Sequence, residues 1–468
     1  MTGVQTCALP ISRIKGLTIN YCKDRRPSQI QERSLLSRLA EHLKVKIDSG
    51  TVSLLSVYHS VLSRLKALDL TEARGAQVRS RIKWVEEGET SSSYFLRLEK
   101  KHSADRFISG LRANDGSLVT GQEDLCATFG AFYADLFSAG SVDAEAQAEL
   151  LSHFSSPLPS VSCNDCEGSL SMEECFAALQ GMARCKAPGN DGLPMEFYLR
   201  FWGVLGSDLV ETLNSSFHSG LLSRSQRCGI ISLSYKKGDR LDPRNWRPIS
   251  LLNVDYKIAS RAIAARLLKV IHLVVGGDQT CGVPGRFIGE NVAFLRDFVD
   301  FCSLTGHPGV ILSLDQEKAF DRVDWSFLRS TLSVMGFGPD FCRWVNLFYC
   351  EVCSAVNVNG HLSQFFSLSR GVRQGCPLSP LLYVLVVEIL ACNVRAHPSI
   401  PGIVLPGSSS PLPVISAYAD DTSLVLSTDL AISAVLDVYR LYEKGSGAKL
   451  NLSKCEGLWL GAWSGRSD

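Results

Sequence analysis

Tyr418-Ala419-Asp420-Asp421 is the stretch on which the reading of this chain turns, two adjacent carboxylates between largely apolar runs at 414–417 and 424–426. Such runs on either side of a short polar break predict a β-hairpin with the acids at its tip. Asp-Asp is a poor turn former, because favoured two-residue turns need positive φ and carry Asn-Gly or Asp-Gly. At about 5 Å and an effective dielectric near 20, two such carboxylates repel by roughly 3 kcal/mol, a cost that a bound cation reverses. The pair therefore reads as half of a metal site, although the tetrapeptide alone would more often be an exposed acidic turn.

The other half lies upstream. Val310-Ile311-Leu312-Ser313-Leu314 is an apolar strand that ends on Asp315, 105 residues before Asp420. If the two strands are neighbours, three carboxylates converge, and three oxygen ligands suit two Mg²⁺ ions that keep room for water and phosphate oxygens. Two divalent ions about 4 Å apart stabilise both the attacking and the leaving oxygen of an in-line phosphoryl displacement. Nucleotidyl transfer is the reaction that asks for this arrangement.

Four ordered segments, LDQEKAFDRVDW (314–325), RGVRQGCPLSPLLY (370–383), AYADDTSL (417–424) and GAKLNLSKCEG (447–457), together resemble the palm of a reverse transcriptase. In detail they are similar to the second open reading frame of LINE-type (non-LTR) retrotransposons, over at least residues 172–461. The resemblance implies an α+β fold: right-hand polymerase fingers and palm, an antiparallel palm sheet backed by helices, preceded by a mainly helical N-terminal region. It implies RNA-directed DNA polymerase activity, with Asp315 and Asp420 holding two Mg²⁺ ions (Mn²⁺ as an alternative) and Asp421 completing the cluster. Lys237 and Arg247 would embrace a triphosphate as a point charge and a bidentate fork, the choice between Lys236 and Lys237 staying open. Phe320 would lie under the sugar and exclude a 2′-hydroxyl; its plainer meaning is a core aromatic. Gln374 and Gly375 would contact the incoming nucleotide and template base, and Lys454 would stand near the leaving pyrophosphate as a general acid. Asp321 and Asp324 read as local helix caps. The partners implied are template RNA, a DNA primer and a deoxynucleoside triphosphate, with no membrane. Two other classes compete: an RNA-binding protein without catalysis, which the intact acids disfavour, and a viral-type RNA polymerase, which Phe320 and Arg373-Gln374-Gly375-Cys376-Pro377 disfavour.

Bulk properties agree with a nucleic-acid enzyme. A chain of 468 residues, 45% hydrophobic and 20% charged, is long enough for two or three globular units. No apolar run reaches membrane-spanning length, Leu381–Cys392 being interrupted by Glu388, and no signal-peptide pattern is present. Sixteen scattered Cys then argue for free thiols in a reducing compartment, nucleus and cytoplasm. Cys163-x-x-Cys166 and Cys350-x-x-Cys353 are too far apart to read as a zinc site. Residues 13–112 hold 20 Lys and Arg against 11 Asp and Glu, whereas 113–468 carry a deficit of eight, a basic arm ahead of an acidic body.

Residues 1–12 are expected to be foreign, since Gly3–Ile11 resembles a translated sequencing adapter, so that the polypeptide begins inside a longer one. Residues 13–160 read as a basic helical region upstream of the polymerase, with amphipathic helices over 31–48 and from Leu54. Its segment 79–101 interleaves Lys83, Trp84, Tyr94 and Arg97, a pattern that can hold a nucleic-acid backbone by charge and a base by stacking. Ser155–Ser162 reads as a linker. Residues 161–224, with a capped helix from Ser171 and the loop Lys186–Pro194, are expected to extend the fingers. Residues 225–468 would form fingers and palm, stopping before a thumb, and Tyr256–Val275 is expected as a helix with basic residues outward.

Overall fold

The computed structural model describes residues 28, 30–49, 52–80, 107–113, 115–404, 411 and 414–466. The adapter-like residues and the basic-aromatic segment with Lys83, Trp84, Tyr94 and Arg97 lie outside them. Helices α1 (30–48) and α2 (Leu55–Ser80) follow the apolar spacing of the sequence. They pack through Ala40, Leu43 and Val61, with Arg64 donating to Glu32 at 2.7 Å.

The body is a mixed helix and sheet structure. A hairpin of β1 (Leu111–Arg112) and β2 (Leu118–Val119) leads to α3 (Gln122–Leu136) and α4 (Ala144–Ser152). Helix α5 (Met172–Gln180) starts at a capping box: the Ser171 side chain accepts the Glu174 N–H, and Glu174 accepts the Ser171 N–H. Helix α6 (Met195–Ser219) follows, then β3 (Cys228–Tyr235), β4 (Trp246–Leu251), α7 (Val254–Val274), α8 (Ile288–Thr305) and β5 (Gly309–Leu314). After α9 (Trp325–Val334) and α10 (Pro339–Tyr349) come β6 (Cys353–Val358), β7 (His361–Leu362) and β8 (Phe366–Ser367). The last part holds α11 (Ser379–Ala396), β9 (Ile415–Tyr418), β10 (Asp421–Leu426), α12 (Asp429–Ser446) and β11 (Glu456–Leu460).

Two sheets organise these elements. One is antiparallel throughout, in the order β11-β5-β10-β9. Its residues alternate between two cores: Val310, Leu314, Leu424 and Leu426 face the main core, while Ile311 and Val425 pack with Phe298 and Cys302 of α8. Strands covered on both faces need apolar residues at successive positions, which is why residues 310–312 of β5 and 424–426 of β10 read as continuous hydrophobic runs. The other sheet runs β4-β3-β6-β7, with β8 also on β6, and its β3 and β6 are parallel. Helix α3 covers it with Leu125, Phe129 and Tyr133 against Ile231, Trp246 and Val356.

Several expectations change. The boundary at residue 160 does not coincide with a break in packing, because α3 and Leu150 of α4 belong to the same cores as the strands. Ser155–Ser162 is no free linker: Leu158 is buried and its N–H donates to the Met335 carbonyl at 2.9 Å. Helix α11 is, against the sequence reading, long and apolar enough to cross a membrane, yet 78% of it is buried inside this fold. Its Glu388 pairs with Arg395, which also binds Asp278 at 2.7 Å. On α7, Arg266 does not face outward. It is buried, grips both Glu174 oxygens at 2.7 and 2.8 Å, and donates to the carbonyls of Cys166, Glu167, Gly168 and Ser169.

Candidate active site

The antiparallel sheet decides where the acids fall. Thr422 pairs with Leu314 across β10 and β5, so Asp421, one residue earlier, and Asp315, one residue later, leave the sheet at the same end. Asp421 also pairs with Tyr418 across the hairpin, which leaves Ala419 and Asp420 as the two turn residues. The acids are therefore not both at the tip: Asp421 opens a strand and only Asp420 turns. Ala419 takes the strain, with φ 55°, a left-handed conformation that costs an L-residue roughly 1–2 kcal/mol.

A loop that the sequence reading passed over supports this turn. Buried Gln279 accepts the Ala419 N–H and the Cys281 N–H through Oε1, each at 3.0 Å. Thr280 N–H and Asn291 Nδ2 both donate to the Ala417 carbonyl, at 3.0 and 2.9 Å. Arg286 ties the loop to itself through the Gln279 and Val275 carbonyls at 2.8 Å, and Arg395 anchors it through Asp278. The one sequence signal was Gly276-Gly277 followed by polar residues, a break between two helices that marks a shaped loop.

The carboxylates feel one another. Burial, together with the negative charges of Asp421 and Asp315, holds the Asp420 carboxyl above its usual range, with Lys236 opposing. Among the described residues no three His, Cys, Asp or Glu side chains stand close enough to form a ready-made metal cage. Neither Cys163 with Cys166 nor Cys350 with Cys353 belongs to such a group. The three aspartates are thus neighbours in charge rather than a closed ligand set, and Asp315 Oδ2 accepts instead from Lys454 Nζ at 3.4 Å. Lys454 arrives there because its segment is zipped to the strand end: Asn451 N–H donates to the Asp315 carbonyl and Glu317 N–H to the Lys449 carbonyl, both at 2.8 Å.

Cations gather around the acids from the second sheet. Lys236, at the end of β3, has its pKa lowered by burial and by the positive charges of Arg247 and Lys454, with Asp315 opposing. Both candidate lysines are exposed, and it is Lys236 whose charge reaches Asp315 and Asp420, Lys237 being the next residue of the turn. Arg247 is exposed on β4 opposite Ser234 and has no protein partner among the described residues.

Phe320 and Gln374 share one platform. The Phe320 ring stacks on Tyr383, centroids 4.4 Å apart and 16° from parallel, and the Tyr383 hydroxyl donates to Gln316 Oε1 at 3.2 Å. The loop 370–376 docks on the turn that carries Phe320: Gly371 N–H donates to the Val323 carbonyl and Val372 N–H to the Phe320 carbonyl, both at 2.7 Å. Gly371, at φ 86°, lies so close that a Cβ would stand 2.7 Å from the Asp321 carbonyl oxygen. Gln374 is half-buried, its carbonyl accepting the Ser250 N–H of β4 at 2.6 Å, and Gly375 is exposed beside it. Asp324 caps α9 as expected, accepting the Phe327 N–H at 2.9 Å. Asp321 is not a cap: it is buried and accepts from Gln374 Nε2 at 2.8 Å.

Residues 235–462 match the family described as reverse transcriptase (RNA-dependent DNA polymerase). The chain is 39% identical over 401 residues to the transposon TX1 uncharacterized 149 kDa protein of Xenopus laevis, covering 85% of this chain and 30% of that protein. It is 26% identical over 297 residues to a retrovirus-related Pol polyprotein from the type-1 retrotransposable element R2 of Popillia japonica, 63% of this chain and 40% of that one. A probable RNA-directed DNA polymerase from transposon X-element of Drosophila melanogaster is 30% identical over 176 residues, 34% of this chain and 18% of its own. The chain thus spans less than half the length of each of these relatives. With the strand-end acids, the Phe320 platform and Arg247 of β4 in one place, residues 235–462 are a reverse transcriptase domain, similar to those of transposon and retrotransposable-element proteins.

Proposed function

We propose that this chain catalyses RNA-templated DNA synthesis, in which a primer 3′-hydroxyl attacks the α-phosphorus of a deoxynucleoside triphosphate and pyrophosphate leaves. The observation that carries the reading is that Asp315 ends β5 where Asp421 opens the neighbouring β10, with Asp420 between them in charge and Lys236, Arg247 and Lys454 around them. Asp315, Asp420 and Asp421 are the residues that would hold two Mg²⁺ ions, or Mn²⁺, since carboxylate oxygens suit both. The fit is supported by the mutual repulsion felt at Asp420, which a cation relieves. Bound there, divalent ions supply Lewis-acid stabilisation to the attacking and leaving oxygens.

The side chains do the rest. Arg247, with no protein partner to give up, forks onto phosphate oxygens while Lys237 and Lys236 add point charges. Phe320, held flat by Tyr383, closes the space that a 2′-hydroxyl would need, which selects deoxynucleotides. Gln374 and Gly375 contact the incoming nucleotide and the template base. Lys454, released from Asp315, hands a proton to the departing pyrophosphate.

In this reading the sheet β11-β5-β10-β9 is the palm and the sheet of β3 and β4 the fingers, within residues 225–468, and 161–224 extends the fingers. Residues 13–160 contact RNA through Lys83, Trp84, Tyr94 and Arg97. The substrates are an RNA template, a DNA primer and deoxynucleoside triphosphates, met in the nucleus and cytoplasm. The test is primer extension in Mg²⁺: Asp420→Asn is expected to abolish it while keeping the unfolding midpoint. Equal extension by variant and parent sinks the assignment.

A further inference from the structure

Asp321 is 1% exposed, in the single helical turn Ala319–Arg322 that follows Asp315. Its Oδ1 accepts from Gln374 Nε2 at 2.8 Å, and its Oδ2 has no hydrogen-bond partner. Burial pushes this carboxyl up to about 7 even though Lys318, the Gln374 amide and Arg322 favour its charged form. A half-satisfied buried acid is a liability that an apolar residue of the same size would remove, so stability does not account for a carboxylate here.

Its effect on Gln374 does. A side-chain amide has a donor end and an acceptor end of nearly equal shape, and an unheld one can present either. An ionised carboxylate only accepts, so it takes the NH₂ group and leaves Oε1 as the free end, which bonds to no protein group among the described residues. The backbone is fixed as well, since the Gln374 carbonyl takes the Ser250 N–H and residues 371–372 are bonded to the turn that carries Asp321. Lys318 extends the same junction to the strand of Arg247, its Nζ donating to the carbonyls of Arg244 and Trp246 at 3.0 and 3.3 Å.

We propose that Asp321 is a positioning residue for nucleotide selection: by holding the Gln374 NH₂ it sets the amide oxygen as a fixed hydrogen-bond acceptor in the nucleotide site. This rests on the reading of Gln374 as a nucleotide contact. The chemistry it recognises is a donor on the incoming deoxynucleoside triphosphate, a hydroxyl or an exocyclic amine.

The experiment is steady-state primer extension at pH 8 with the full chain, its D321L, D321N and Q374L variants and the double variant D321L/Q374L, each checked by thermal unfolding. D321L is expected to raise the KM for the deoxynucleotide about tenfold, the worth of one charge-assisted hydrogen bond, with most of the loss in KM rather than kcat and an unfolding midpoint not below the parent's. The double variant is expected to be no worse than Q374L alone, because Asp321 acts only through Gln374. D321N, which keeps one acceptor, is expected to recover part of the loss. Multiplying losses in the double variant, a loss confined to kcat, or a D321L enzyme equal to the parent would overturn the proposal while leaving the polymerase reading standing. No extension by the unaltered chain would overturn both.

Discussion

Asp420 and Arg266 show two ways of keeping charge inside one protein. Arg266 is answered on every side: Glu174 takes it bidentately and four consecutive carbonyls accept its remaining donors. Burial pushes the Glu174 carboxyl up, but the hydrogen bonds from Arg266 and from the Ser171 N–H outweigh it and hold it below its ordinary range. Asp420 lies with its own kind, its carboxyl held up by burial and by Asp421 and Asp315. The first arrangement ties α7 to α5 and to residues 166–169; the second keeps like charges together at the ends of two strands, with Lys236 and Lys454 opposing them only in part. Neutralised charge marks the scaffold, and frustrated charge marks the chemistry.

Substitutions can break that contrast. On the proposed two-metal reading, Asp315→Asn is expected to cut Mg²⁺-dependent extension by about a thousandfold or more, with little change in melting. Arg266→Ala should do the reverse, costing about 2–3 kcal/mol of stability by leaving the half-buried Glu174 carboxylate and the carbonyls of 166–169 without their donor. Denaturant unfolding measures it, and any folded enzyme should keep its KM for deoxynucleotide.

A titration sharpens the same point at Asp255, the second residue of α7. Burial and the charge of Asp191 push its carboxyl up to about 7, with Tyr256 N–H and Gln226 opposing. Between about pH 4 and 7 the folded chain keeps a proton that the unfolded chain has lost, so stability present at low pH falls as pH rises through 7. The advantage of Asp255→Asn over the parent is expected to grow by about 2–3 kcal/mol between pH 5 and pH 8. Unfolding curves at the two pH values check it, against a background slope of the same sign from Asp321. The smallest effect belongs to Ala419→Gly. Relief of the left-handed turn should stabilise the chain by about 0.5–1 kcal/mol, and extension should slow a few-fold as Asp420 loses its fixed direction.

The strands that carry Asp315 and Asp421 were legible because their signal is local. An apolar run that stops on a carboxylate announces both the strand and its end, and Ser171 with Glu174 announced a helix start in the same way. What stayed hidden was pairwise and distant. The hairpin turn is one residue off the acids because the pairing of Asp421 with Tyr418 is set by the strands, not by the acidic dipeptide. Asp321 looked like a cap because its partner Gln374 lies 53 residues away. Arg266 looked solvated because helical spacing says nothing about the carbonyls waiting at 166–169. Lys236 and Lys237 could not be separated without knowing where β3 ends.

Helix α11 has a consequence for how such a chain comes into being. As it leaves the ribosome, Ser379–Ala396 is an apolar segment whose cover in the finished fold is not yet in place. Its cover comes from both directions: α7 and α9 precede it, but α12 is made later. Arg395 can reconcile Glu388 with Asp278 only after the loop beneath the hairpin has docked. The newborn protein therefore passes through an interval of stickiness that ends when residues 429–446 emerge, and its yield in any expression host should depend on how quickly that interval closes.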